Sequence, residues 1–111
     1  MDIQASPVVI TRTPTGFVAK LIGSVHTNTA WIEGELKKVI AAKPEAVDLD
    51  LSETTFLSSA GIGLLVWLRN AITQGGGTVR VVSGRKRILA TLKYAHLEAL
   101  LGSASATVMP D

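Results

Sequence analysis

The 111-residue chain contains no cysteine. That absence excludes disulfides, thiolate catalysis and the commonest zinc sites. Aromatic residues are few. Phe17, Trp31, Phe56, Trp67 and Tyr94 make up 5% of the chain and are too scattered to form a base-stacking surface. Charged residues are also sparse, at 18%, and the net charge is only +2. The one dense cluster, Arg85-Lys86-Arg87, has no aromatic residue beside it. It reads as the solvated first turn of a helix rather than a nucleic-acid footprint. Long hydrophobic runs are missing too: the longest, Ile62 to Leu68, falls far short of the roughly 20 residues that span a bilayer. Met1-Asp2-Ile3-Gln4 lacks the basic and then apolar stretch of a signal peptide. A soluble, cytoplasmic protein is expected, with no membrane insertion and no direct contact to nucleic acid. His26 and His96 are the only histidines, and neither has a second ligand at metal spacing, so neither a metal nor a cofactor is expected.

What the chain does have is a hydrophobic fraction of 47%, ample for one core. With no repeat and no linker, residues 1–111 are expected to form a single domain. Val8-Val9-Ile10 and Phe17 to Ile22 read as strands across the turn-rich Thr13-Pro14-Thr15-Gly16. Gly23 to Thr29 reads as a loop ending in helix-capping residues. Trp31 to Ala42 follows as a helix with Trp31, Leu36, Val39 and Ile40 at helical spacing, closed by Lys43-Pro44. Ala46 to Leu51 alternates as a strand. A second helix runs from about Ser59 to Gln74 and stops at Gly75-Gly76-Gly77. Thr78 to Val82 is a strand, Lys86 to Tyr94 a helix, Leu97 to Leu101 a further turn and Ala104 to Met109 a last strand. Lys20, Asp48, Asp50 and Arg80 alternate with apolar neighbours, whereas parallel strands covered on both faces read as continuous apolar runs. The expected architecture is α/β, with helices packed on one face of the sheet and the other face partly wet.

The strand-to-helix junction from Leu49 to Gly63 carries the most information. Ser58 or Ser59 can cap the helix with its hydroxyl. Gly61 and Gly63 each cost on the order of 1 kcal/mol relative to alanine in a helix, so either the sheet or a partner must come close to that backbone. At about 100° per residue, Gly61, Leu64, Leu65, Leu68 and Ile72 form the core stripe. Ser59, Ile62, Gly63, Val66, Arg69, Asn70 and Thr73 fall on the opposite side. Ile62 and Val66 beside a small-residue notch make that side a candidate partner surface, with Ser58, Ser59, Ile62, Gly63 and Val66 as its residues. No catalytic residue is assigned. Ser59-Ala60-Gly61 is half of a G-x-S-x-G elbow, but Leu57 stands in the place of the first glycine, and no acidic residue lies between Ser59 and His96. Gly75 to Gly77 ends a helix and is followed by no Lys-Ser/Thr, so it is not a phosphate loop.

In order and spacing, Leu21-Ile22-Gly23, Leu49-Asp50-Leu51, Phe56, Ser58-Ser59-Ala60-Gly61-Ile62-Gly63, Gly75 to Gly77 and the Lys86 to Leu101 block ending in Tyr94-Ala95-His96-Leu97-Glu98-Ala99-Leu100-Leu101 resemble the STAS domain, especially the bacterial anti-sigma-factor antagonists. The likeness runs from Val8 to about Val108. It implies a single STAS-like domain with a mixed sheet of about four to five strands and helices on one face. It also implies partner switching in transcription regulation. The unphosphorylated domain binds an anti-sigma factor that is also a serine kinase, and phosphorylation breaks the complex. The family pattern is Asp-Ser-Ser/Thr-Gly with the first serine as phosphoacceptor, which is Ser59 here. Ser58 stands in place of the usual aspartate, Ala60 in place of the second hydroxyl residue, and His26 where an acidic residue often ends the loop. The family also includes docking subunits of lipid-transport complexes and stressosome-type scaffolds that work without phosphorylation, which is the alternative reading. Nucleotide binding at the junction is a further class, without a glycine-rich phosphate loop to support it.

Overall fold

Thr13 to Gly16 reverses the chain between β1 (Val8–Thr13) and β2 (Gly16–Leu21), which pair antiparallel. The Thr13 hydroxyl accepts the Gly16 N–H at 3.1 Å to close the turn. The computed structural model describes residues 7–26, 28–95, 97 and 107–110. Within them follow β3 (Gly23–Val25), α1 (Thr29–Ala41), β4 (Ala46–Leu51), β5 (Thr54–Leu57), α2 (Ser59–Gln74), β6 (Thr78–Arg85), α3 (Lys86–Tyr94) and β7 (Thr107–Met109).

Five strands form a mixed sheet in the order β1-β2-β4-β6-β7, antiparallel only between β1 and β2. The parallel β2, β4 and β6 direct their carboxyl ends to one edge. At that edge the chain continues from β2 into β3 and from β4 into β5, and these two short strands pair parallel as a separate sheet. The helices α1, α2 and α3 all start from this edge and run back over the sheet. A single core joins Ala19, Leu21, Val47, Leu49, Leu51, Val79 and Val81 of the sheet to Ile32, Leu36 and Val39 of α1, Leu64, Leu65, Leu68 and Ile72 of α2, and Ile88, Leu89 and Leu92 of α3. Each fully buried aliphatic side chain contributes roughly 1.5–3 kcal/mol. The residues alternating with them face the other way. Asp48 sits opposite Arg80 in the register and accepts its Nε–H at 3.1 Å. The expected one-sided α/β sheet is what forms.

Glycines close the end of α2. Gly76 takes a positive φ of 90°, and the N–H groups of Gly76 and Gly77 donate to the Thr73 and Ile72 carbonyls at 3.0 and 2.9 Å. This is a Schellman ending, which favours glycine at the left-handed position. A Cβ on Gly77 would collide with the Pro44 carbonyl oxygen.

Several expectations need correction. Trp31 does not belong to the core stripe of α1: it is 62% exposed, and Ile32 takes the inward place. The segment expected as a loop from Gly23 contains β3, and β5 was not expected at all. The strand expected to end at Val82 continues to Arg85, so Arg85 closes β6 and caps α3 rather than lying in its first turn. In α2, Asn70 is exposed as expected but Arg69 is half-buried. Of the turn expected over Leu97 to Leu101 only Leu97 is described; its N–H donates to the Leu92 carbonyl at 2.9 Å. The last strand is described from Thr107, and residues 104–106 lie outside the described residues.

Candidate functional site

The start of α2 is built on β3. The buried Thr54 hydroxyl donates to the Leu21 carbonyl at 2.8 Å, which fixes the beginning of β5 against the end of β2. At the other end of β5, the Ser58 N–H donates to the Val25 carbonyl at 3.0 Å. The Ser58 hydroxyl donates to that same carbonyl at 3.2 Å and accepts the Gly61 N–H at 3.1 Å. Ser58, in extended conformation, is thus the N-cap of α2, and its hydroxyl is committed in both directions. The Ile62 N–H closes the first turn onto the Ser58 carbonyl at 2.9 Å.

Two glycines of α2 do different work. A Cβ on Gly61 would stand 2.8 Å from the Val25 carbonyl oxygen and 3.3 Å from Leu57 Cδ2, so Gly61 lets the helix lie against β3. A Cβ on Gly63 would meet nothing within 4 Å. The sheet accounts for Gly61, and open space faces Gly63.

Ser59 is the first residue of the helix and is exposed. Among the described residues its hydroxyl makes no hydrogen bond. Gly63 is exposed as well, while Ile62 and Val66 are half-buried, with Ile62 packed on the rim of the core. Ser59, Gly63 and Val66 therefore share the outer side of α2, and Ile62 lies on its flank. No acidic residue occupies the first turn of α2. The first turn thus adds no negative charge of its own at the positive end of the helix, which would tolerate an anion on Ser59.

The neighbouring loop adds residues that the sequence did not single out as a surface. Asn28 accepts the His26 N–H at 3.1 Å and donates through Nδ2 to the Ser24 carbonyl at 3.1 Å, bracing the turn from β3 into α1. The His26 ring lies 6.4 Å from the Phe56 ring at a tilt of 58°. Phe56 is 52% exposed, a large apolar side chain left open two residues before the cap. Its exposure was not legible, because burial along β5 is buried, exposed, exposed, buried and does not alternate.

On the wet side of the same edge, Lys20 pairs with Glu53. The hydrogen bond to the Glu53 carboxylate holds the Lys20 ammonium above its ordinary value of 10.5, against some desolvation, and Asp50 adds a smaller push in the same direction. Among the described residues no three His, Asp or Glu side chains gather as metal ligands, and no helix is long and apolar enough to cross a membrane. His96 lies outside the described residues.

The model of the STAS domain matches residues 10–108. The chain belongs to the STAS domain family. Its fold is similar to that of an anti-sigma factor antagonist from Mycobacterium paratuberculosis, with a TM-score of 0.69 at 23% identity, covering 94% of this chain and 85% of that one. It is also similar to the anti-sigma factor antagonist SpoIIAA in its unphosphorylated form, with a TM-score of 0.71 at 13% identity over 94% and 87% of the two chains. The phosphorylated form of SpoIIAA, described as a Bacillus cell fate determinant, matches with a TM-score of 0.63 at 14% identity over 94% and 90%. No curated protein matches the chain. At these identities the likeness to the solved structures is one of fold.

Proposed function

We propose that this STAS domain is a non-catalytic docking protein that binds an anti-sigma factor with serine kinase activity through the start of α2 and is released by phosphorylation of Ser59. The observation that carries this reading is the division of labour between two adjacent serines. The Ser58 hydroxyl is spent on the cap, whereas the Ser59 hydroxyl is exposed at the helix tip, on the side that also carries Gly63 and Val66 and next to Ile62. A kinase needs a reachable hydroxyl. A phosphate of about −1.5 to −2 charge placed within an apolar contact would break it through desolvation and repulsion. The partner surface comprises Ser59, Ile62, Gly63 and Val66, with Ser58 holding the helix start in place and Phe56 extending the surface across β5.

The test is a titration of the chain against the anti-sigma kinases of its own genome, with wild type, Ser59→Ala, Ser59→Asp and Ile62→Asp. Ser59→Asp and Ile62→Asp should both weaken binding by tenfold or more, with Ser59→Ala close to wild type. Transfer of phosphate from ATP to wild type, and none to Ser59→Ala, completes the switch. Equal binding by all four proteins would refute both surface and switch. If Ile62→Asp alone lost binding, the surface would stand and the domain would be a constitutive docking subunit, as in a transport complex or scaffold.

A further inference from the structure

Between the N-terminal halves of α1 and α2 lies a groove of about 290 Å³ lined by Thr29, Ala30, Glu33, Ala60, Gly63, Leu64 and Trp67. Ligand pockets range from about 300 to 1,000 Å³, so this space stands at the small end of that range, with room for one long side chain. Its walls are apolar apart from Thr29 and a single charged group, the Glu33 carboxylate. Among the described residues the cation paired with that carboxylate is Lys37, at 4.0 Å and itself 66% exposed, which leaves Glu33 able to take a stronger partner. Glu33 lies past the first turn of α1, beyond the reach of the positive helix end. The Trp67 side chain, half-buried, lines the opposite wall, and the face of an indole attracts cations. Gly63 keeps the floor open, since nothing stands where its Cβ would be.

We propose that this groove receives an arginine side chain projecting from a helix of the protein partner. Its methylenes lie along Ala60, Gly63 and Leu64, and its guanidinium lies between the Trp67 ring and the Glu33 carboxylate. Arginine fits better than lysine because its planar guanidinium both stacks on an aromatic face and bridges a carboxylate. The proposal rests on the docking reading above and specifies the chemistry of the partner: a basic residue must face the α1 flank of α2. Ile62, on the other flank, is not part of it.

The probe is a capped helical peptide of about 18 residues, longer than the length at which isolated helices are marginal, with arginine at one central position. Norleucine and glutamate versions serve as comparisons. Trp67 emission is read in a Trp31→Phe background, where Trp67 is the only tryptophan. The arginine peptide should titrate Trp67 at least fivefold more tightly than the norleucine peptide. Glu33→Gln should erase that preference, and Gly63→Leu, which fills open space, should weaken the arginine peptide at least fivefold. Norleucine or glutamate binding as tightly as arginine would overturn the proposal, as would an unresponsive Trp67 or a titration unchanged by both substitutions. Because Ile62→Asp is scored separately against the partner itself, failure of the groove would leave the docking reading standing, and failure of both would remove it.

Discussion

The Ser58 hydroxyl donates to the Val25 carbonyl at 3.2 Å, which makes the helix cap at the same time a tie between α2 and β3. Ser58→Ala removes both that tie and the acceptor for the Gly61 N–H. Loss of a serine cap costs about 0.5–2 kcal/mol, and the upper half of that range is expected because two bonds disappear. Ser59→Ala, one residue on and exposed, should stay within about 0.5 kcal/mol of wild type. Urea unfolding of the two variants separates them. Equal stabilities would show that Ser58 is not the cap that matters.

The two glycines give an opposite pair of effects. Gly61→Ala places a methyl 2.8 Å from the Val25 carbonyl oxygen, where backbone would have to move, and overpacking of this kind costs about 1–3 kcal/mol. Gly63→Ala meets nothing and gains helix propensity, so it should stabilise by about 0.5–1 kcal/mol. Thermal melts of both variants decide the point. Destabilisation by Gly63→Ala would mean that the backbone at 63 is not open.

Both glycines were visible in the sequence as anomalies, but only the structure says which one the sheet uses. What was legible is what has a local cause. The alternation of Ala46–Leu51, the cap-to-glycine span of Ser59–Gln74 and the stretch Lys86–Tyr94 match β4, α2 and α3. The short strands β3 and β5 were not legible. Three and four residues carry too little alternation, and each strand exists because its partner lies some thirty positions away. Trp31 misled for a related reason. Its size argues for burial, but the helix turns on its neighbour Ile32 and leaves the indole outside. At the site, Ser59 stood out through the motif around it, while the exposure of Phe56 follows from the irregular β3–β5 pairing and has no local signal.

The Lys20–Glu53 pair makes a pH prediction. The folded ammonium is held above 10.5 by its bond to Glu53. Its contribution to stability is therefore fully present below that ordinary value and is lost as the pH rises through the raised one. Glu53→Gln should melt slightly below wild type at pH 8, and the difference should close at pH values beyond the raised lysine. It should also shrink in high salt, since both side chains are substantially exposed. A gap unchanged in strong alkali would assign the effect of Glu53 to some other contact.

Phe56 gives the sharpest separation of binding from folding. Half of its surface is already in water, so truncation costs the fold less than at a buried phenylalanine, and its His26 neighbour is itself exposed. Phe56→Ser should shift the unfolding midpoint little. Buried against a partner, the same ring would be a large apolar group on the surface around Ser59, and aromatic anchors of this kind dominate binding energy, with truncation costing about 2 kcal/mol or more. That corresponds to a loss of roughly 30-fold in affinity. Val9, which is 45% exposed on the edge strand β1, is the matched control, and Val9→Ser should leave binding unchanged. If Phe56→Ser also bound like wild type, the partner surface would have to end at α2 itself. If both variants lost binding alike, the contact would not be centred on the start of α2, and the roles given to Ser59 and Ile62 would fall with it.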